Sequence, residues 1–246
     1  MKPHAPPRTR IKICGLTREE DIDAAVCAGA DALGFVLYEG SPRFVDVNRA
    51  AVLIQRLPPF VTPVLLFVNA DAIKIIAACA RIPAALLQFH GDETPGDCLA
   101  AGRPFLRAAR IPAGLDGTGS QPGFDLVNYA YTFRAAQAIL LDTHVDGFGG
   151  GGKTFNWSQL PPSVDAHLVL SGGLTPANVA DGIVQVRPLG RSLAVDVSSG
   201  VEQTSATGQP MKGIKSAEKI NQFVAAVRAA DALIARNHAT LSATRP

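Results

Sequence analysis

The sequence predicts an α/β protein built as a single (β/α)8 TIM barrel, and three observations predict it. Eight short apolar segments read as strands, at residues 10–14, 32–37, 62–68, 84–90, 105–111, 138–142, 167–171 and 193–198. Their starts lie about 20 to 33 residues apart, room for one helix and two loops each. Helical periodicity fills the gaps between them. A length of 246 residues suits one such barrel. An open doubly wound sheet is the rival architecture.

The elements follow in order. The strand Arg10–Cys14 stops at Gly15, which leaves a cysteine at its carboxyl end. The clearest helical patterns are Glu19–Ala28, Asn48–Arg56, Ala70–Ala80 and Pro176–Val186. The last, Ala217–Ile234, sets Ile220, Phe223, Val224, Val227 and Ile234 on one face. Residues 1–9 are Pro-rich and predict a flexible amino-terminal extension, with the barrel over 10–236. Residues 112–123 and 203–212 read as irregular polar segments. The tail 237–246 lacks periodicity and predicts disorder.

Composition excludes several classes. Hydrophobic residues make up 47% of the chain and charged residues 18%, enough for a core and too apolar for a disordered chain. The net charge of +2 comes from scattered basic residues, which argues against a nucleic-acid stripe. Val64–Val68 is far too short an apolar run to span a bilayer. The cysteines Cys14, Cys27, Cys79 and Cys98 lack disulfide-framework or metal spacing, so reduced thiols and a cytoplasmic setting are expected. No His-X-X-His pattern occurs, and no metal or cofactor is expected.

Strand parity locates the chemistry. If Cys14 points into the barrel, so does Lys12, while Ile11 and Ile13 face helices. The same alternation turns Gln88 and His90, Asp142, and then Ala194, Asp196 and Ser198 inward. Buried polar groups need partners, so a hydrogen-bonded interior opening into a site is expected. Cys14 and Asp142, at the carboxyl ends of two strands, could serve as a base and acid pair. Three glycine-bearing turns follow the late strands: Phe148–Lys153 with Gly150 and Gly151, Ser171–Pro176 with Gly172 and Gly173, and Ser198-Ser199-Gly200. Thr175 is placed to cap a helix starting at Pro176. Exposed amides beside a helix amino terminus form a common barrel phosphate site. The glycine run after Asp142 also suits a lid.

Together these segments resemble the phosphoribosylanthranilate isomerase family of tryptophan biosynthesis. The matching stretches are Lys12–Thr17, Gly34-Phe35, Ser41-Pro42-Arg43, Gln88–Glu93, Leu141–Thr143, Gly149–Trp157, Ser171–Leu174 and Asp196–Glu202, in family order. The resemblance implies an Amadori rearrangement of a phosphosugar substrate, without a redox partner or metal. It implies Asp142 as the general acid that opens the sugar ring and Cys14 as the base that takes the C2′ proton. Arg43 resembles the residue facing the anthranilate carboxylate. Asp196 is expected to hold a sugar hydroxyl or support the acid, or to make an interior bond. An ordinary thiol is only about 3% ionised at pH 7, so something must favour the thiolate. A monomer or a homodimer is compatible with the sequence.

Overall fold

The computed structural model describes residues 8–112, 124–144, 154 and 156–243, and in it eight parallel strands close into a barrel. They are β1 (Arg10–Cys14), β2 (Ala32–Val36), β3 (Thr62–Phe67), β4 (Leu86–Phe89), β5 (Phe105–Pro112), β6 (Ala138–His144), β7 (His167–Leu170) and β8 (Ser192–Val197). Each strand pairs with the next, and β1 closes the ring on β8 with Lys12 opposite Asp196. The barrel therefore displaces the open sheet.

The helices are α1 (Glu19–Ala28), α2 (Val47–Ile54), α3 (Ala72–Arg81), α4 (Pro95–Ala100), α5 (Leu126–Thr132), α6 (Val179–Val186) and α7 (Ala217–Ala243). Their starts are set locally. Asp46, Asp71 and Asp125 accept first-turn amides of α2, α3 and α5, and Thr94 with Asp97 forms a capping box on α4. Outward residues of the strands, among them Ile11, Ile13, Leu33, Phe35, Leu65 and Phe89, pack against the helices in the main core. Phe89 lies between Phe67 and Phe105, with ring centroids 6.2 and 5.7 Å away.

The interior is layered. Val64, Leu106, Ala108, Ala138, Leu140 and Val169 fill its lower part, so apolar residues also occupy the inward parity there. Lys12, Gln88, His90, Asp142 and Asp196 are all buried further up. Polar groups thus gather only toward the carboxyl ends of the strands, where a barrel opens into its active-site loops.

Several sequence expectations change. The strand–helix repeat is interrupted after β6, where a short 3-10 turn, Trp157–Gln159, is the only helical segment described before β7. Pro161 and Pro162 follow after Leu160 and stop it from lengthening. Residues 203–212 are not irregular: β9 (Glu202–Thr204) and β10 (Pro210–Lys215) form an antiparallel hairpin, with Gly208 at φ 80° in its turn. Helix α7 continues through Ala243 where a disordered tail from 237 was expected. Ala and Leu propagate a started helix cheaply even without an apolar face. At the other end, Thr9 is wholly buried instead of frayed. Its amide and hydroxyl donate to the two oxygens of Asp231 on α7, at 2.9 and 2.6 Å. Residues 1–7 and 113–123 lie outside the described residues.

Asp231 also accepts from Arg187 at 2.5 Å, so it ties β1 to α7 and to the segment after α6. Asp231→Ala leaves the Thr9 donors without a partner and should cost about 1–3 kcal/mol of stability. Urea unfolding checks this, and an unchanged midpoint would contradict the role given to this aspartate.

Candidate active site

Cys14 ends β1 with its side chain inside the barrel, nearly buried beside Val36, Leu66 and Val68. Gly34 on β2 makes room for it. A Cβ there would stand 2.6 Å from Cys14 Sγ and 3.0 Å from Lys12 Nζ, so no larger residue fits without moving them. Burial pushes the Cys14 thiol above its ordinary value, and the Lys12 ammonium pulls against that rise.

Below Cys14, Lys12 Nζ donates to both carboxylate oxygens of Asp196 at 3.0 Å. Desolvation works against the ammonium, but Asp196 and Cys14 together hold its pKa above the ordinary lysine value. The buried ion pair is thereby compensated rather than bare. Asp196 is committed to Lys12 in this structure, the interior bond among the roles expected for it.

Across the barrel, Asp142 on β6 is buried and bonded on both oxygens. Thr143 N–H donates to Oδ1 at 2.9 Å, and His90 Nε2 lies 2.8 Å from Oδ2. Gln88 Nε2 stands 3.2 Å from His90 Nδ1. With that amide donating, Nδ1 accepts and Nε2–H points at Asp142. The chain of contacts runs from β4 to β6 past β5, so all three side chains occupy the interior. Gln88 Oε1 is buried without a hydrogen-bond partner among the described residues.

The loops after β7 and β8 meet at this end. Gly172 (φ 76°) and Gly173 (φ 63°) adopt left-handed conformations that turn the chain after β7. A Cβ on Gly172 would come within 2.6 Å of Thr143 N and 3.0 Å of Asp142 Oδ1, so this turn lies directly against Asp142. A Cβ on Gly200 would strike the carbonyl of Leu174, which places the Ser198–Gly200 loop against the β7 loop. Thr175 does not cap a helix: α6 starts at Val179, after a turn in which Asn178 bonds Thr175 N and Gly173 O. Gly150 and Gly151, with the lid expected there, lie outside the described residues.

Arg43 is buried instead of facing open solvent. Its Nε and Nη2 donate to Glu202 at 2.7 and 2.9 Å, a bidentate pair. Glu202 also accepts from Lys215 at 3.3 Å, and Lys215 donates to the Ser198 carbonyl at 2.9 Å. Burial raises the Glu202 pKa, yet Arg43 and Lys215 outweigh it and hold the carboxyl below its ordinary value. Burial lowers Lys215 to about 8 despite Glu202. Parity had pointed Lys12 inward without giving it a task. Lys215 was missed altogether, because a lysine in a polar stretch carries no sign that a hairpin will fold it under the barrel mouth.

An inward thiol, an inward carboxylate and two adjoining glycine turns at the carboxyl ends of the strands define a (β/α)8 barrel whose mouth carries groups able to give and take protons. The comparisons are specific. Residues 11–226 match the family model described as N-(5′-phosphoribosyl)anthranilate (PRA) isomerase. The N-(5′-phosphoribosyl)anthranilate isomerase of Methylibium petroleiphilum is 59% identical over 228 residues, covering 93% of this chain and 98% of the relative. Among solved structures, the phosphoribosyl anthranilate isomerase of Thermotoga maritima matches with a TM-score of 0.72 at 35% identity, over 90% of this chain and 99% of that one. A structure of such an isomerase in complex with reduced 1-(o-carboxyphenylamino)-1-deoxyribulose 5-phosphate matches with a TM-score of 0.68 at 33% identity, over 90% and 99%. The chain belongs to the N-(5′-phosphoribosyl)anthranilate isomerase family.

Lys215 gives a signed pH dependence. Its folded value of about 8 lies below the ordinary 10.5, so between these values the unfolded chain binds more protons at this site. Stability from Lys215 therefore increases as pH rises through that window. Against Lys215→Met, the wild type should gain in relative urea stability from pH 7 to pH 9.5. A difference independent of pH would contradict the assignment.

Proposed function

We infer that this chain catalyses the Amadori rearrangement of N-(5′-phosphoribosyl)anthranilate to 1-(2-carboxyphenylamino)-1-deoxy-D-ribulose 5-phosphate, a step of tryptophan biosynthesis. The observation that carries this is the near full-length family match, in which both Cys14 and Asp142 stand buried at the mouth of the barrel.

In the mechanism we infer, Asp142 protonates the furanose oxygen and the ring opens to an iminium. Cys14 then takes the C2′ proton, and the C–H electron pair moves toward nitrogen to give an enolamine. Protonation at C1′ and loss of the enol proton yield the ketone. The iminium is the electron sink, so the rearrangement is internally balanced. Gln88 and His90 supply a proton setting for the acid. When Asp142 carries its proton, Oδ2–H donates to Nε2 and the ring proton moves to Nδ1. Turning the Gln88 amide lets the unpartnered Oε1 accept it. Gly172, Gly173, Ser198 and Ser199 form the phosphate site, and the Lys215 charge behind Ser198 supports an anion there. Arg43 keeps its Nη1 end for the anthranilate carboxylate while Glu202 fixes the rest. No described helix is long and apolar enough to cross a membrane, and a working thiol suits the reducing cytoplasm.

The assay follows loss of the anthranilate derivative's fluorescence on freshly generated substrate. Asp142→Asn and Cys14→Ala should each lower kcat by about two orders of magnitude or more. Arg43→Ala should mainly raise KM. Absence of turnover by the intact chain would overturn the function, and near-normal rates in either catalytic variant would remove that residue from the mechanism.

Of the two states compatible with the sequence, a homodimer is favoured by Phe60. Its side chain is 99% exposed at φ 71°. It borders an opening of about 640 Å³ at the amino-terminal face, lined in part by Val64, Leu106, Ala138 and Val169. A second copy would cover this ring. Light scattering should give a dimer for the wild type and a monomer for Phe60→Asp; a monomeric wild type would refute it.

A further inference from the structure

Lys12 is a buried cation that the inferred chemistry leaves without a task. Its ammonium lies inside the barrel on the same strand face as Cys14, two residues below it. Burying an ammonium is costly, and a methionine would fill the same space without that cost. The fold instead supplies Asp196 from β8 to hold it with both oxygens at 3.0 Å. It also supplies Gly34 from β2, above which Cys14 Sγ and Lys12 Nζ come within 2.6 and 3.0 Å of one point. An ammonium has three donors, so one remains after the two bonds to Asp196.

We propose that Lys12 is the positioning residue that makes Cys14 a base: anchored from below by Asp196, its ammonium stands beside Sγ and pairs with the thiolate once the thiol proton has left to water. The proposal rests on Cys14 being the base of the inferred isomerisation. The charged groups that face Cys14 are Lys12 on its own strand, Asp196 on β8 and Lys215 on β10. The lysines favour the thiolate, whereas Asp196 and burial oppose it. The apolar residues clustered with Cys14, Val36, Leu66 and Val68 with Tyr38 against them, bring no charge. Asp196 therefore has two opposite effects: it disfavours the thiolate directly, and it keeps Lys12 charged and in place. Of these two charges Lys12 has the larger effect on the sulfur, so it offsets part of the rise that burial imposes. A thiolate held this way keeps its nucleophilic pair aimed into the mouth, where a C2′ proton would be presented.

The experiment titrates Cys14 directly in the full-length protein. Thiolate absorbance at 240 nm is recorded against pH, and the matching Cys14→Ser protein is subtracted to remove Cys27, Cys79 and Cys98. Lys12→Met should move the Cys14 midpoint upward by about one pH unit or more, equivalent to a tenfold loss of thiolate at fixed pH. It should also lower kcat at pH 7.5 about tenfold or more with KM changed less than threefold, and Lys12→Arg should restore most of the wild-type midpoint. Lys12→Met leaves Asp196 buried without its cation and can fail to fold. The double variant Lys12→Met, Asp196→Asn removes both charges, and its midpoint should also rise. An unmoved midpoint in the double variant overturns the proposal. A shifted midpoint together with an active Cys14→Ala protein supports the coupling of Lys12 to the thiol while refuting Cys14 as the base, so the two failures are distinguishable.

Discussion

Closing eight parallel strands into a ring turns every second side chain into the barrel interior. Toward the amino-terminal end this interior holds the apolar cluster of Val64, Leu106, Leu140 and Val169. Toward the carboxyl end the same parity carries Lys12, Cys14, His90, Asp142 and Asp196, and none can turn away without reversing the register of its strand. Their desolvation follows from the architecture, and so does the need for each to find a partner inside it. The answer is one ion pair, Lys12–Asp196, and one hydrogen-bonded chain, Gln88–His90–Asp142.

A second set of charges braces the loops. Glu202 gathers Arg43 and Lys215, and Lys215 in turn holds the Ser198 carbonyl, so the turn after β8 is fixed from behind. The β9–β10 hairpin brings Lys215 there, which gives this departure from a plain barrel a structural purpose. Glu93 plays a similar part on the opposite side, where it accepts from Arg107 at 2.8 Å and from the amides of Asn69 and Gly91. The Arg107 guanidinium also lies 4.8 Å from the Phe133 ring, so it is packed as well as paired.

The strands and most helices were legible because burial on a barrel imposes the very periods that a sequence displays. Helix α1 falls at the predicted residues and β1 ends at Cys14 as read, whereas β6 runs two residues past Asp142 to His144, with Asp142 buried on the inward side. What was illegible depends on contacts distant in sequence. Thr9 is ordered by Asp231, more than two hundred residues away, and nothing in a Pro-rich leader announces that bond. Arg43 was expected to face a carboxylate of the substrate, and nothing in the sequence announced that Glu202, far along the chain, would hold it. Thr175 carried the residue type of a cap, but Asn178 took its amide and the helix started later. The family resemblance supplied the catalytic roles of Cys14 and Asp142; parity supplied only that both face one interior.

The measurement that bears most directly on the site is a crystal structure of this protein with the reduced product, 1-(2-carboxyphenylamino)-1-deoxyribitol 5-phosphate. The phosphate should lie on the amides of Gly172, Gly173, Ser198 and Ser199, with Cys14 Sγ about 3–3.5 Å from the C2′ carbon. Asp142 should reach the oxygen that closes the furanose ring in the substrate. A phosphate bound away from these loops, or a C2′ carbon out of reach of the sulfur, would contradict it.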